Sequence, residues 1–458
     1  MDGEIVRIER TQRGLSQARF SELCDIPQQL ISAFELGKIT LSDLHLKVIT
    51  DTLNDDESIS RIRNRAKRYR THSHTTVRRA DRSEQAKQTP RNLEYLAILA
   101  GLMSNAQANR TDSPGALSLF AGCGGLSLGL KSAGFQIKGY VEKDPLLRAI
   151  YRENFQGVDC VGQDISALTA ENIRKWKERT GSVDLIAGGP PCQGFSLAGK
   201  RHVNDARNNL FQDYLRTVEI IQPRAAILEN VRLLTSMKNK DGQLVKDLII
   251  DGFRSLGYRV EAFEINAKDY GVPQHRERVV FVALRTDVDQ SPTFPHKTHG
   301  CESDLFNNLQ PYVTFADACS DLPYIESGGT SDDALHFAVA HPEHVIRWLW
   351  DVPQGKSAHD NSSPDDRPPS GYNTTYKRQV WHEPGGAVQT TFGMISGCRN
   401  VHPIATRSLT IREATRLQSF PDSFRFSGSL STIRTGIGNA VPPLLAAAIG
   451  RHLIKVIA

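Results

Sequence analysis

Long apolar runs and paired cysteines are missing from this 458-residue sequence. No stretch approaches the roughly 20 uncharged apolar residues of a membrane helix, and the opening MDGEIVRIERTQRG lacks the apolar core of a signal peptide. The seven cysteines are odd in number, scattered and never spaced as C-x-x-C, which argues against a disulfide framework and a structural zinc site. We therefore expect a cytoplasmic protein without a membrane segment or a bound metal, in which each cysteine is a buried or a reactive thiol.

The net charge is small for so long a chain. The 56 Lys and Arg residues exceed the 51 Asp and Glu residues by five, and 39% of the residues are hydrophobic. This balance permits a polyanionic partner without requiring one, so the position of the positive charge matters more than its sum. The length allows about two to four compact units.

Residues 1–55 predict a small helical unit. Ser16 is placed to cap one helix, a turn follows at 25–27, and Gly37 is a stop signal for the next helix. This order resembles a helix-turn-helix of the phage-repressor type, although a generic helical hairpin is the alternative. In the repressor interpretation, the side chains that the second helix presents to the DNA major groove are Gln28, Gln29 and Ser32.

A basic segment follows this unit. Eleven Lys and Arg residues lie between positions 61 and 91, where Asp81 and Glu84 are the only acidic residues and large apolar residues are few. Such a run is usually a solvated linker, so residues 56–112 are predicted to be a basic linker. Beside a helix-turn-helix it would also serve to hold phosphates, with an affinity that falls steeply with salt.

Residues 113–285 alternate between short apolar runs and stretches of helical length. This alternation predicts an α/β fold, in which a doubly wound, mostly parallel sheet is covered by helices on both faces. Ligands bind such sheets outside the carboxyl ends of the strands. The predicted strands are 116–120, 139–141, 183–187, 225–228 and 279–283.

In most of the rest of the chain, the apolar residues follow neither a helical nor a strand period. Residues 286–434, above all those up to about 405, are rich in Pro, Gly, Ser, Asp and His, and they predict a smaller, irregular and separately shaped domain. Residues 435–458 are predicted to be a loop and an apolar helix that return to the sheet.

A glycine-rich turn and two carboxylates follow successive apolar segments. The turn at 120–125 precedes leucines at helical spacing, and its glycines would let a ligand approach the backbone closely. Glu142 is placed to hold two ribose hydroxyls, and Asp164 is placed to accept a hydrogen bond from an adenine amine. Each carboxylate alone is more typical of a surface charge or a helix cap. Their spacing behind the glycines nevertheless favours a bound nucleoside.

Further residues point to a nucleophilic site. Cys192 follows two glycines and two prolines, a turn that would keep a thiolate accessible at the sheet edge; a buried thiol is the alternative. Glu229 ends the next strand, where a carboxyl could donate a proton to a ring nitrogen. Arg276 and Arg278 would fix a substrate oxygen and favour the thiolate, or else simply pair with Glu277 at the surface.

Taken in order, these motifs resemble the DNA cytosine-5 methyltransferase family from about residue 115 to the C-terminus. The matching segments are Phe-x-Gly-x-Gly, Gly-Pro-Pro-Cys-Gln, Glu-Asn-Val, Gln-x-Arg-x-Arg and Gly-Asn-Ala-Val-Pro, together with 205–211, 407–413 and 417–422. Two departures concern the cofactor loop and the small domain. Gly436 stands where the family often has Gln, and Ser408 stands where it usually has Pro.

The resemblance implies a reaction and its partners. S-adenosylmethionine would donate a methyl group to carbon 5 of a cytosine that is flipped out of duplex DNA, after Cys192 has added to carbon 6. Glu229 would assist at ring nitrogen 3, and Arg278, supported by Arg276, would orient the base and stabilise charge. The enzyme would be the modification component of a restriction-modification system with a cognate endonuclease, and its helix-turn-helix would repress its own promoter.

The resemblance also implies contact residues. Residues 286 to about 405 would read bases from the major groove, with Thr390 and Thr391 as candidates, although a Thr pair is equally typical of a plain strand. Gln193 and Ser196 would also contact DNA. The implied cofactor contacts are Phe120, Gly122, Gly124, Glu142, Asp164, Ile165, Pro191, Asn439 and Val441.

Two other functions fit parts of the sequence. A transfer RNA cytosine-5 methyltransferase would share the catalytic motifs, but such proteins usually have a compact recognition region and no helix-turn-helix. A DNA-binding regulator built on an inactive methyltransferase scaffold would have lost catalytic residues, whereas Cys192, Glu229 and Arg278 are all present.

Overall fold

The computed structural model describes residues 2–13, 15, 17–24, 26–55, 82–108, 112–191, 210–239, 241–301, 308–397 and 399–457. The chain divides into two compact units, Met1–Asp81 and Arg82–Ala458. Each unit has a hydrophobic core of its own.

In the described part of the first unit, four short helices surround an apolar core. Phe20, Ile31 and Ile49 are fully buried in that core. Gly37 follows the third helix with a left-handed backbone, φ 67°, as expected for a stop signal, whereas the predicted cap Ser16 lies outside the described residues. The helices are α1 (Gly3–Gln12), α2 (Gln17–Cys24), α3 (Gln28–Glu35) and α4 (Asp43–Asn54).

A seven-stranded sheet forms the centre of the second unit. Its strands are β1 (Gly115–Leu119), β2 (Gln136–Val141), β3 (Asp159–Gly162), β4 (Leu185–Gly188), β5 (Ala225–Val231), β6 (Tyr258–Asn266) and, after the two-residue β7 (Gln274–His275), β8 (Glu277–Arg285). They are arranged in the order β3-β2-β1-β4-β5-β8-β6. All neighbours are parallel except β8, which is antiparallel to both β5 and β6. The predicted doubly wound, mostly parallel α/β fold is confirmed.

The sheet contains two strands that were not predicted. β3 is a short strand at the sheet edge without an apolar run, and all four of its residues are only half-buried. β6 lies at the opposite edge and alternates between buried and more exposed residues along its first half, the period-2 pattern of an edge strand. The predicted strand 279–283 is present within β8, but an apolar run carries no information about strand direction.

Helices cover both faces of the sheet. Neighbouring residues of one strand point to opposite faces, so Ala116 and Leu117 of β1 belong to different core clusters. One face packs against α5 (Pro90–Gln107), α6 (Gly125–Ala133) and the C-terminal α15 (Pro443–Ile457). The other face packs against α8 (Ala170–Thr180), α9 (Leu210–Ile221) and α10 (Val245–Ser255). Helix α7 (Pro145–Asn154) lies between β2 and β3 in sequence.

Helix α5 corrects the predicted linker at 56–112. Tyr95 of this helix is buried, and its hydroxyl donates a hydrogen bond to the carbonyl oxygen of Arg416 over 2.7 Å. Arg91 pairs with Asp317 over 3.3 Å, and Arg82 stacks on the ring of Trp350. The later part of the segment is therefore core structure, and these two arginines have internal partners instead of being available for phosphates. The helical spacing of the buried 95, 99, 102 and 106 was the signal that the basic run obscured.

The small region after β8 is largely irregular, as predicted, and buried arginines hold its backbone together. Its short helices are α11 (Phe315–Cys319), α12 (Glu343–Trp350), α13 (Ile411–Leu417) and α14 (Leu430–Asn439). Arg378 is fully buried and donates hydrogen bonds to five carbonyl oxygens, those of Leu349, Val352, His402, Ile404 and Ala405. Some apolar residues of this region belong to the same core cluster as one face of the sheet, and others, among them Leu349 and Val401, form a small cluster of their own.

The segment Leu430–Ile457 is long and apolar enough to cross a membrane by length and composition, which the sequence analysis did not anticipate. Its most apolar window is, however, 56% buried inside the second unit. A Cβ atom on Gly129 of α6 would lie 2.4 Å from the Cβ of Ala446, which shows how closely α15 packs against α6. These contacts are typical of a core helix.

Candidate active site

Glu229 lies at the carboxyl end of β5, where the buried run of Ala225 to Leu228 gives way to the sheet edge. The Arg278 Nε atom of the adjacent β8 is 2.9 Å from Glu229 Oε1, and both side chains are largely withdrawn from water, 15% and 12% exposed. Glu229 Oε1 is buried and has no well-directed hydrogen bond among the described residues. Among the described residues, the ion pair with Arg278 is therefore the polar contact of this oxygen.

The turn after β4 approaches Glu229 closely. A Cβ atom on Gly189 would lie 3.0 Å from both the carbonyl oxygen and Oε2 of Glu229, so a larger residue would crowd the carboxylate. Asn230 Nδ2 donates a hydrogen bond to the carbonyl oxygen of Pro190 over 2.8 Å and anchors the turn on β5. The described part ends at the exposed Pro191, and the candidates Cys192, Gln193 and Ser196 lie outside the described residues. The chain nevertheless enters the Cys192 segment directly beside Glu229.

Arg276 contacts backbone carbonyl oxygens through its terminal guanidinium nitrogens, and its Nε has no hydrogen-bond partner among the described residues. The side chain is buried, and its guanidinium donates to the carbonyl oxygens of Val388, Gly438 and Ala440 over 3.1, 3.1 and 2.9 Å. Burial, reinforced by the nearby Arg278, lowers the pKa of Arg276. These contacts fix the side chain beside Arg278, and its supporting role toward the substrate stays a prediction.

Two glutamines that the sequence analysis did not single out extend this contact. Gln274 Nε2 donates to Gln418 Oε1 and to the carbonyl oxygen of Leu417 over 2.6 and 2.7 Å, while Gln274 Oε1 accepts from the Val388 amide over 3.1 Å. Gln418 Nε2 in turn donates to the carbonyl oxygen of Ile437 over 2.6 Å. Gln274 and Gln418 lie in two of the segments that resemble the methyltransferase family, Gln-x-Arg-x-Arg and 417–422, and this was the sequence signal that could have identified them. Together with Arg276, they join the small region to the loop before α15.

The glycine-rich turn after β1 has backbone conformations with positive φ, which favour glycine. Gly122 and Gly124 have φ values of 56° and 104°, and a Cβ atom on Gly124 would lie 2.3 Å from the ring of Phe155. Phe120 also has a left-handed φ of 52°. Glu142, directly after β2, accepts a hydrogen bond from the Gly122 amide over 2.7 Å. Burial raises the pKa of Glu142.

Asp164 follows β3 and caps the short helical turn that begins at Ile165. Its Oδ1 accepts a hydrogen bond from the Ser166 amide over 3.0 Å, and its Oδ2 is 2.7 Å from the Lys143 ammonium. The hydrogen bond from Lys143 lowers the pKa of Asp164. Ile165 is buried behind the carboxylate. Asp164 is therefore ionised at the same sheet edge as Glu142, with Lys143 as a neighbour that the sequence analysis missed.

The loop between α14 and α15 packs against the start of α6. Val441 is buried, Asn439 is exposed, and a Cβ atom on Gly125 would lie 2.4 Å from the Val441 carbonyl oxygen. Gly436 packs against the turn, because its carbonyl oxygen accepts a bond from the Cys123 thiol over 3.2 Å. A Cβ atom at Gly436 would lie 3.2 Å from Cys123 Cβ, so the departure from the frequent Gln accommodates this packing.

The donor set at this edge fits S-adenosylmethionine. Backbone amides at the start of α6 can face a carboxylate, and Glu142 and Asp164 offer acceptors for ribose hydroxyls and an adenine amine. All of these groups follow the carboxyl ends of parallel neighbouring strands. The arrangement can hold a nucleoside at the sheet edge to which Glu229 also belongs.

The predicted DNA-reading residues lie in both units. Gln28 is exposed at the start of α3 and Ser32 is half-buried, whereas the side chain of Gln29 is not among those described. Thr390 and Thr391 lie in a turn and not in a strand. The Thr390 amide nitrogen would be 2.3 Å from a Cβ atom on Gly438, so this turn packs on the loop before α15.

Comparisons with known proteins find relatives of both units. The profile described as "C-5 cytosine-specific DNA methylase" matches residues 115–455, and the "Helix-turn-helix" profile matches residues 6–54. The chain is 34% identical to "Type II methyltransferase M.DdeI" of Desulfomicrobium norvegicum, covering 74% of this chain and 88% of that protein. It is 37% identical to "Type II methyltransferase M1.HphI" of Haemophilus parahaemolyticus, covering 74% and 86%.

A solved structure is similar over the same region. A protein assigned as a prophage-encoded DNA modification methyltransferase of E. coli superposes with a TM-score of 0.58 and 25% identity, covering 75% of this chain and 99% of that chain. The Entamoeba histolytica methyltransferase EhMeth, at a TM-score of 0.51 and 14% identity, shares the fold over 76% of this chain and 98% of its own.

Proposed function

This chain belongs to the C-5 cytosine-specific DNA methylase family and is a DNA (cytosine-5) methyltransferase, and from that premise we propose that it is the site-specific modification enzyme of a restriction-modification system. The observation that carries the proposal is the Glu229 and Arg278 pair beside the turn that leads into Cys192. Relatives described as type II methyltransferases support the biological setting. The same proposal includes a specific DNA site that the enzyme recognises and a cognate endonuclease that acts on that site.

In the proposed reaction the chain's own residues activate the base. Carbon 5 of cytosine is a poor nucleophile, and addition of the Cys192 thiolate at carbon 6 makes the ring enamine-like. Glu229 would hold a proton at ring nitrogen 3, while Arg278 orients the base and stabilises the developing charge. S-adenosylmethionine, when bound, supplies the methyl group. Loss of the carbon 5 proton to water then expels Cys192 and restores the aromatic ring.

The proposed cofactor site uses the residues already placed along the sheet edge. The backbone of the turn at Gly122 and Gly124 would approach the amino acid part closely, Glu142 would accept bonds from the ribose and Asp164 from the adenine amine. Ionised Glu142 is needed for this, although its burial opposes ionisation. The further proposed contacts are Phe120, Ile165, Pro191, Asn439 and Val441.

The target base is proposed to leave the DNA stack, because the activated ring must reach Cys192. Flipping costs a few kcal/mol of unstacking, which contacts with DNA must offset. Gln193, Ser196, Thr390 and Thr391 are the proposed contacts of the catalytic unit. Gln28, Gln29 and Ser32 are the proposed contacts of a second, separate DNA-binding unit that represses the enzyme's own promoter. A cytoplasmic location at nucleoid DNA remains a prediction.

The direct test is Cys192→Ala in the full chain, with Cys301→Ala as the matched control, since Cys301 is an exposed cysteine of the same unit. We expect no methyl transfer to plasmid DNA from the Cys192 variant and unchanged transfer from the control. A duplex substrate with 5-fluorocytosine at the methylated position should become covalently linked to Cys192. Full activity of the Cys192 variant would overturn the mechanism, and transfer to transfer RNA but not to duplex DNA would overturn the substrate.

A further inference from the structure

Arg434 of α14 lies over a turn of the small region. Its guanidinium carbon is 6.0 Å from the ring centroid of the fully buried Phe392. A Cβ atom on Gly393 would lie 2.4 Å from that carbon and 2.5 Å from Nε and Nη2. The absence of a side chain at Gly393 therefore lets the guanidinium lie close against the backbone of the turn, in a defined place.

This guanidinium has no counter-charge among the described residues. Arg434 Nε is buried without a hydrogen-bond partner, and no described carboxylate pairs with the side chain. Three other arginines of the small region, Arg407, Arg412 and Arg416, each form ion pairs with aspartate or glutamate, and the buried Arg378 donates to carbonyl oxygens instead. A cation that is partly withdrawn from water without an anion is costly, and arginine remains charged in such a place.

The turn under Arg434 is connected to the active-site edge. Arg276, adjacent to the Glu229 and Arg278 pair, bonds both Val388, just before the turn, and Gly438, one helical turn beyond Arg434. The exposed Thr391 belongs to the same turn. Arg434 thus stands on the wall of the small region that meets the edge where the target base is proposed to bind.

We propose that Arg434 is a phosphate-binding residue that holds the DNA strand carrying the target cytosine. This inference rests on the proposed function, because a duplex at the Glu229 edge would supply the missing anion. A guanidinium matches two phosphate oxygens in a bidentate, charge-assisted contact, and Gly393 and Phe392 hold it in advance of binding. Arg434 would then set affinity for DNA of any sequence and leave the chemistry at Cys192 and Glu229 unchanged.

The test compares Arg434→Gln with Arg451→Gln in the full chain. Arg451 is a suitable control, because burial lowers its pKa as it does for Arg434. It lies on α15, eight residues after the helix begins at Pro443, and is thus not part of α14 or of the turn under Arg434. The KM for unmethylated plasmid DNA is measured between about 50 and 200 mM salt, together with kcat and the KM for S-adenosylmethionine. One lost phosphate contact should reduce the slope of log KM against log salt by about 0.9 and raise the KM roughly tenfold near 0.1 M salt.

We expect this change for Arg434→Gln alone, with kcat and the cofactor KM unchanged, and partial recovery in Arg434→Lys. An unchanged slope in Arg434→Gln would overturn the inference while wild-type methylation still supports the proposed function. Equal changes in both glutamine variants would also overturn it, since they would reflect a general loss of charge. Absence of DNA methylation by the wild-type chain would instead overturn the proposed function.

Discussion

The ion pair of Glu229 and Arg278 is nearly withdrawn from water, so the attraction between the two charges must offset the free energy of desolvating them. One carboxyl oxygen remains without a directed hydrogen bond among the described residues. Arg278 fixes the orientation of the carboxyl, and the glycine at 189 leaves space beside it. At the scale of single residues, a substitution of Glu229 tests the catalytic role proposed for this pair.

We predict that Glu229→Gln keeps the fold but slows methyl transfer by about 10² to 10⁴-fold, because a neutral amide cannot exchange a proton with the ring nitrogen. Single-turnover transfer to plasmid DNA measures the effect, with S-adenosylmethionine affinity as the check on folding. Glu277→Gln is the control, since Glu277 pairs with Arg232 at a half-exposed site. A loss of the same size in the control would show that the effect is not specific to Glu229.

At the scale of elements, α13 shows how buried charge holds irregular backbone. Thr410 and Glu413 form a capping box at its start, and Glu413 is also bound by Arg407 through both carboxyl oxygens, over 2.7 and 2.8 Å. Burial alone would raise the pKa of Glu413, but the adjacent Arg407 and His402 bring it well below the usual range. Helix α13 is therefore stabilised by an ion pair without access to water.

We predict that Glu413→Gln lowers the free energy of unfolding by about 3–5 kcal/mol, because it leaves the Arg407 guanidinium buried without an anion. Urea denaturation at neutral pH measures this. Glu171→Gln, which removes an exposed pair with Lys175, should cost less than about 0.5 kcal/mol.

The pH dependence of the same pair has a definite sign. A carboxyl with a lowered pKa binds fewer protons in the folded than in the unfolded state, so its stabilising contribution is present above the ordinary pKa of 4.5 and is lost as the pH falls below it. The difference in stability between wild type and Glu413→Gln should therefore shrink on acidification below about pH 4.5. A constant difference down to pH 3 would contradict this account.

At the scale of the whole molecule, the chain contains two units with separate cores, Met1–Asp81 and Arg82–Ala458. Arg82 already contacts Trp350 of the second unit, so a truncation that spares the catalytic unit must retain it. The two units also match different family profiles, at residues 6–54 and 115–455.

We predict that deletion of residues 1–81 leaves methylation of plasmid DNA within about threefold of the full chain, since no catalytic candidate is removed. The deletion should abolish binding to the promoter of the enzyme's own gene in a mobility-shift assay. Gln28→Ala in the full chain is a more specific variant than the deletion, because it removes one exposed side chain of α3 and keeps the rest of the first unit. Loss of methylation on deletion would instead connect the first unit to catalysis.

The sequence by itself determined the α/β class, the order of the motifs and most residues at the strand ends, because buried strands require apolar runs and Glu142 and Glu229 follow such runs directly. It did not reveal that α5 belongs to the core, because a run of charge next to it dominated the local composition. Only the tertiary structure decided that Arg276 binds carbonyl oxygens and that Gln274 meets Gln418, a contact across 144 positions. Such pairings depend on how distant segments pack, and no local pattern encodes them.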